Sequence, residues 1–214
     1  MGGEGIDSAE VDARGLVGDR WYAVEDDEGR LASGKNTRRF RRRDAVFDYR
    51  ARTEPDGRVV VRRDGGIWYA GDPRLDQHLS DQMGTAVRVT SEPGVPHHDD
   101  GSVSIVSTAT LQWCAERWGG SPDPRRFRVN VVLGSDEPFV EEQWVDREIE
   151  IGSARLRVVQ RIPRCRMIDI RQDGADPGVK WLKSLTHERD MCLAVYADVT
   201  RPGRISVGDR PRPV

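Results

Sequence analysis

The stretch Arg125–Arg171 reads RRFRVNVVLGSDEPFVEEQWVDREIEIGSARLRVVQRIPRCRMIDIR, and its pattern decides the fold class. Its opening, Arg126-Phe-Arg-Val-Asn-Val-Val, alternates in polarity. That predicts a strand with Arg126, Arg128 and Asn130 on one face and Phe127 and Val129 on the other. A turn-rich insert follows, then two strand-like runs, Glu148–Ile151 and Ala154–Gln160. The stretch closes on Pro163-Arg-Cys-Arg-Met167, where arginines flank one thiol and Arg161 and Arg171 stand nearby in sequence. Positive charge lowers a thiol pKa and favours the thiolate, which is both nucleophile and metal ligand. Cys165 is therefore the first candidate for chemistry. The competing account is a half-buried cysteine at the start of a strand.

Working outward, the same short-strand texture continues. Ala9–Ala13, Arg20–Glu25, Leu31–Ser33, Ala86–Thr90, Val103–Ser107, Met191–Val199 and Arg204–Val207 read as strands. Ala45–Arg50 and Arg58–Arg63 flank Pro55-Asp-Gly57 and predict a hairpin. One helix is framed by Asp72 as N-cap, Pro73 at its first position and Gly84 past its end, with Leu75, Leu79 and Met83 on one face. A second runs from Ser107 or Thr108 to Trp118, burying Leu111, Cys114, Ala115 and Trp118. A third opens at Pro177 and carries Trp181, Leu182 and Leu185. Short strands joined by tight turns, with few crossover helices, predict a mostly β fold, a mainly antiparallel barrel or sandwich with about three short helices.

Composition narrows the function. A chain of 214 residues forms one large domain or two small ones. A net charge of −2 gives no reason to expect a nucleic-acid partner. Of the 34 cations only Lys35, Lys180 and Lys183 are lysine, so any anion contact falls mainly to arginine, the better bidentate partner for phosphate. Lys35–Arg43 holds six bases and no acid. That run is a solvated loop or an anion-binding arm, with Gly34 and Asn36 letting backbone approach a phosphate. Three cysteines without a CxxC pair are no disulfide framework and predict a reducing, cytoplasmic setting. No apolar run nears the ~18 residues of a membrane span, and the acidic start lacks the apolar core of a signal peptide, so no membrane partner is expected.

The signatures of common nucleotide, zinc-protease and serine-hydrolase sites are missing: no GxGxxG, Walker A loop, HExxH or GxSxG. His97-His-Asp-Asp100 has ligand-type residues, but adjacent side chains rarely converge on one ion. A solvated loop or a polar cleft wall is expected instead. Cys114 and Cys192 lie on apolar patterns and are expected in the core. The polar face of Arg126, Arg128 and Asn130 either holds a phosphate and a heterocycle or faces water.

Several motifs now fall in a fixed order. Arg125-Arg-Phe-Arg-x-Asn-x-Val132 is followed by Glu137-Pro-Phe-x-Glu-x-x-Trp144-Val, then Ile151-Gly-x-x-x-Leu-Arg-Val-Val159, then Pro163-Arg-Cys165. This series strongly resembles the MOSC family, named for the C-terminal domain of molybdenum-cofactor sulfurases. His98-Asp-Asp-Gly101 with Val103–Leu111 is similar to the start of that domain, and Ala194–Asp198 with Gly203–Asp209 to its end. Arg14–Arg20 and Leu31–Lys35 resemble the N-terminal β-barrel module that often precedes it. The resemblance implies an N-terminal module over residues 1–95 and a MOSC domain over 96–214, with a cleft between them.

It also implies a molybdenum cofactor (molybdopterin). Cys165 matches the thiolate ligand of molybdenum in the amidoxime-reducing members. Lys35, Arg126, Arg128, Asn130 and Arg164 match the surroundings of the pterin and its phosphate, and His98 and Asp99 are placed on the substrate side. The expected activity is oxidoreduction of N-hydroxylated or related nitrogen compounds, a small-molecule substrate class. One alternative is a sulfur carrier bearing a persulfide on Cys165; another is a non-catalytic binding domain. The related enzymes usually open on a Tyr-Pro-Val-Lys-Ser-like strand, and this sequence starts at Met1-Gly-Gly-Glu. With no iron–sulfur, flavin or aminotransferase domain in the sequence, a separate electron donor or a separate cysteine desulfurase is expected as partner.

Overall fold

Turn chemistry and alternation set most of the element boundaries. The computed structural model describes residues 1–172, 174, 175 and 178–214. In chain order the elements are β1 (Ser8–Asp12), β2 (Gly15–Leu16), β3 (Tyr22–Asp26), β4 (Leu31–Ser33), β5 (Phe40–Arg42), β6 (Arg50–Thr53), β7 (Val59–Arg63), β8 (Gly66–Tyr69), α1 (Pro73–Met83) and β9 (Val87–Ser91). They continue as β10 (Val103–Ser107), α2 (Thr108–Trp118), β11 (Val131–Leu133), β12 (Glu148–Ile151), β13 (Ala154–Pro163), α3 (Leu182–Glu188), β14 (Cys192–Arg201), β15 (Gly203–Ser206) and β16 (Arg212–Pro213). Strands predominate over three α-helices among the described residues, so the fold is mostly β, as the sequence predicts. Among these residues no helix is long and apolar enough to cross a membrane.

Two units organise these elements. The first holds Met1–Gly5, Arg20–His97 and Arg171–Gly174; the second holds Ile6–Asp19, His98–Ile170 and Ala175–Val214. Ile6–Asp19 was expected within residues 1–95 but is part of the second unit. The cause is pairing: β1 lies antiparallel to β15, with Ser8 opposite Ser206. Gly15, at φ 125, turns β1 into β2 where a Cβ would strike the Ser102 carbonyl.

In the first unit the sheets run β5-β4-β3-β9 and β6-β7-β8. Helix α1 forms as its caps predict. The Asp72 side chain accepts from Arg74 N, and Gly84 ends the helix at φ 65. One face buries Leu75 and Leu79 completely, worth about 1.5–3 kcal/mol for each side chain. Polar groups tie α1 to β9: Asp76 Oδ1 accepts from Val89 N at 2.8 Å, and Ser80 Oγ from Val87 N at 3.0 Å. Two predictions fail here. Asp44–Asp48 is a 3-10 turn, not a strand, because it sinks Val46 and Phe47 into the core; the hairpin strand begins at Arg50. The basic run is not all loop either, since β5 pairs parallel to β4 and buries Phe40.

In the second unit the sheets run β11-β10-β14-β13-β12-β16 and β15-β1-β2. All five residues of β10 are buried, as befits a strand covered on both faces. Val103 and Ile105 pack with Ile149, Leu156 and Val195, whereas Val106 packs with Leu111, Phe127, Trp181 and Leu193. Helix α2 starts at Ser107, whose Oγ accepts from Thr110 N at 3.1 Å, and returns the chain so that β11 lies parallel to β10. The predicted strand from Arg126 is corrected. Asp123 caps a 3-10 turn over Pro124–Phe127, Arg128 is left-handed at φ 54, and extended pairing begins only at Val131. Asp-Pro is a strong helical start, and it overrides the alternation that followed it. Pro177, expected to open the third helix, lies outside the described residues. Helix α3 spans Leu182–Glu188, and Trp181 and Leu185 are fully buried.

Among the described residues each unit buries one carboxylate, with opposite consequences. Asp26 is 2% exposed. Its Oδ1 accepts from Glu28 N at 3.2 Å and Arg30 N at 2.9 Å, and its Oδ2 from Arg43 Nη2 at 2.9 Å. Burial pushes its pKa up, but these bonds and the Arg43 charge outweigh burial and hold it below the usual range. Glu141 is fully buried, and neither carboxylate oxygen has a hydrogen-bond partner. The nearby Ser107 and Thr110 hydroxyls bond to each other at 2.8 Å. Burial dominates and raises the Glu141 pKa, against smaller downward pulls from its own backbone amide and from Thr110 and Ser107.

Two tests follow from the signs. Asp26 contributes stability above its unfolded pKa that is lost as pH falls through its lowered folded pKa. Asp26→Asn should cost about 1–3 kcal/mol at neutral pH and flatten that acid limb in urea titrations. Glu141 binds its proton more tightly when folded, so stability falls as pH rises from the ordinary carboxylate pKa through the raised folded value. Glu141→Gln should remove that fall and be the more stable protein at neutral pH. An unchanged slope in either variant contradicts the assignment.

Candidate functional site

Cys165 sits where β13 ends. Pro163, opposite Cys192 in the β13–β14 register, closes the strand. Arg164 N then donates to Met191 O at 2.8 Å. Cys165 is extended and precedes a 3-10 turn over Arg166–Asp169, with Ile168 N donating to Cys165 O at 3.3 Å. The thiol-bearing residue is half-buried.

Arg126 supports this turn from inside the second unit. The residue is fully buried. Its Nε donates to Ile168 O at 3.1 Å, Nη1 to Ser121 O at 3.1 Å and Nη2 to Val179 O at 2.9 Å. The guanidinium lies 4.3 Å from the Trp181 ring centroid and 3.8 Å from Asp169 Oδ1. Asp169 in turn accepts from Trp181 N at 2.7 Å. Arg126 is thus a strut beneath the Cys165 turn, correcting its expected place on a ligand-facing strand.

Asn130 is committed too. Its Oδ1 accepts from Ser104 N at 3.0 Å and Ser104 Oγ at 2.8 Å, while Nδ2 donates to Asp19 Oδ2 at 2.9 Å. It braces β10 against the turn after β2. Arg128 is half-buried at the left-handed position before β11. The three residues therefore do not share a strand face.

Arg164 is different in kind. Its Nε donates to Leu193 O at 2.8 Å and Nη1 to Phe127 O at 3.1 Å. Its Nη2 is buried without a hydrogen-bond partner. Among the described residues no carboxylate forms an ion pair with it. Burial pushes its pKa down to about 10, against a smaller upward pull from Tyr196, Cys165 and Cys192. A desolvated cation with an unused donor favours an anion beside it.

The other expected residues are dispersed. Lys35, in the first unit, is half-buried with Nζ 5.0 Å from the Phe40 ring centroid. His98 is half-buried and Asp99 exposed in the turn before β10, where neighbouring Asp100 accepts from Gln160 Nε2 at 2.9 Å. Among the described residues no group of three His, Cys, Asp or Glu side chains is arranged to hold a metal ion. Cys114 is fully buried, its thiol pKa pushed up to about 12 by burial. Cys192, expected in the core, is half-buried at the first residue of β14, its Sγ donating to Asp190 O at 3.4 Å. Asp169 and Tyr196 escaped the sequence analysis because their partners are far apart in the chain.

A family model described as MOSC domain matches residues 92–211. The chain belongs to the MOSC domain family. Molybdenum cofactor sulfurase of Homo sapiens is 31% identical over 96 residues, covering 42% of this chain and 11% of that protein. The Danio rerio protein of the same name is 35% identical over 65 residues, covering 30% and 8%. The chain thus spans about a tenth of the length of these relatives. Among solved structures, the YUAD protein from Bacillus subtilis covers 96% of this chain and 84% of its own, at TM-score 0.46 and 14% identity. YiiM from Geobacillus stearothermophilus covers 70% and 67%, at TM-score 0.43 and 16% identity. This MOSC domain is therefore related to molybdenum cofactor sulfurase.

The two arginines should separate in stability measurements. Arg126→Ala should cost about 3–5 kcal/mol, since it leaves Asp169 and the carbonyls of Ser121, Ile168 and Val179 without their cation. Arg126→Lys should recover only part, lacking the planar fork. Arg164→Met should be near neutral in the same denaturation series, because it removes an unpaired buried charge. Equal losses at the two positions would contradict this division of roles.

Proposed function

We propose that this MOSC protein binds a molybdopterin-type cofactor through the Cys165 thiolate and reduces N-hydroxylated or related nitrogen compounds, drawing electrons from a separate donor. The observation that supports this is the pairing of Arg164 with Cys165. A guanidinium with a buried idle donor and no ion-paired carboxylate among the described residues suits an anionic ligand. The adjacent residue offers a half-buried sulfur, the right donor for a thiophilic metal. The residues present therefore fit the group. Cys165 would hold the metal and Arg164 would balance the negative charge, with Arg126 keeping the turn in place from below. Arg128, in the same unit, remains the proposed cation for the pterin phosphate, and His98 and Asp99 the proposed substrate-side polar groups. When bound, the cofactor supplies the two-electron oxygen-atom chemistry, and the chain supplies ligand, orientation and charge.

The names of the matched relatives favour a second use of the same residue. In that role the Cys165 thiolate attacks the outer sulfur of a desulfurase persulfide, the desulfurase thiolate leaves, and Cys165 keeps the transferred sulfur. Arg164 then offsets the charge of the attacking thiolate, and no electron donor is needed.

Purification from a host that makes molybdenum cofactor separates these roles. The expected result is near-stoichiometric molybdenum and pterin in the parent protein, lost in Cys165→Ala and reduced in Arg164→Met. A mass increase of one sulfur on Cys165 without molybdenum would replace the first role with the second. A parent protein with neither would leave a non-catalytic binding domain.

A further inference from the structure

We infer that the first unit carries an oxyanion site of its own, for a small phosphate-bearing molecule, between β7, the β7–β8 turn and the residues Arg171, Gln172 and Gly174. A pocket of about 330 Å³ is lined there by Asp48, Arg50, Arg63, Asp64, Arg171 and Gln172. An adjoining lobe shares the first four and extends to Arg62. Four arginines thus face two aspartates. The lining is mostly charged, with Phe47 and Ile67 as its apolar members, which suits a compact dianion better than an apolar ligand.

Arg63 is set to receive such a group. Its guanidinium is 5.1 Å from the Tyr49 ring centroid. Nη1 donates to Tyr49 Oη at 3.3 Å and Gln82 Oε1 at 3.1 Å, and Nε to Asp64 Oδ2 at 3.1 Å. Among the described residues Nη2 has only Asp48 Oδ2 at 3.7 Å, beyond hydrogen-bond reach. The side chain is therefore oriented while one nitrogen stays available. Both acids are weak competitors, since the Asp48 side chain is 57% and the Asp64 side chain 86% exposed, and ion pairs so solvated contribute little. Arg171 is exposed and has no ion-pair partner among the described residues. Two forks, one fixed and one free, can grip a phosphate from two sides.

The test is calorimetric titration of the whole chain with pyrophosphate and with inorganic phosphate, at one low ionic strength. One-to-one saturable binding is expected, tighter for pyrophosphate. Arg171→Ala, an exposed change that leaves the core alone, should weaken it at least tenfold, and Arg63→Lys should do likewise with an unchanged melting temperature. Cys165→Ser should bind as the parent does, which keeps this site separate from the cofactor role. Binding that never saturates, that survives Arg171→Ala, or that disappears with Cys165→Ser would overturn the assignment.

Discussion

One buried cation holds the architecture around Cys165 together. Arg126 has no solvent contact, and its three nitrogens each meet a backbone carbonyl from a different segment: Ser121, Ile168 and Val179. Burying such a charge is costly unless its donors are satisfied and a counter-charge is near. Here the carbonyls satisfy the donors, Asp169 supplies the charge, and Trp181 covers the guanidinium face. Asp169 also accepts from Trp181 N, so the 3-10 turn after Cys165 is tied to the start of α3.

Against that satisfied cation, Arg164 stands out by contrast. It is bonded to two carbonyls and stacks on Phe127, yet one nitrogen is left over in a buried setting with no ion-pair partner among the described residues. The two carbonyls are satisfied by this arrangement and the remaining donor is not. Its pKa is depressed because burial disfavours its charge, so any anion that restores the charge balance is held more firmly than at the surface. The same comparison explains Asp26 and Glu141. In Asp26 the donors outweigh burial and lower the pKa; in Glu141 burial outweighs the pull of Ser107 and Thr110 and raises it.

How much of this was legible differs by position. Helix α1 was fully legible, because Asp72, Pro73 and Gly84 act locally on their own backbone. Cys165 stood out in the sequence because a proline and two arginines beside one thiol are a local chemical pattern. The arrangement of Arg126, Arg128 and Asn130 was not. Alternation predicted a shared face, but the Asp123-Pro124 start imposed a 3-10 turn and Arg128 took a left-handed conformation. Cys192 was misplaced because an apolar run does not show which strand end reaches the surface.

The sequence by itself therefore determined the mostly β class, the cap-defined helix, the thiol and the motif order that marks a MOSC domain. These depend on properties of neighbouring residues: spacing, turn preference and side-chain chemistry. Only tertiary structure decided which arginine became a strut and which kept a spare donor. It also moved Ile6–Asp19 into the second unit through the β1–β15 pairing. The reason is that burial and hydrogen-bond satisfaction are set by partners distant in the chain: Ile168 lies 42 positions from Arg126, and Leu193 lies 29 from Arg164. No local pattern reports whether a buried donor will find its acceptor.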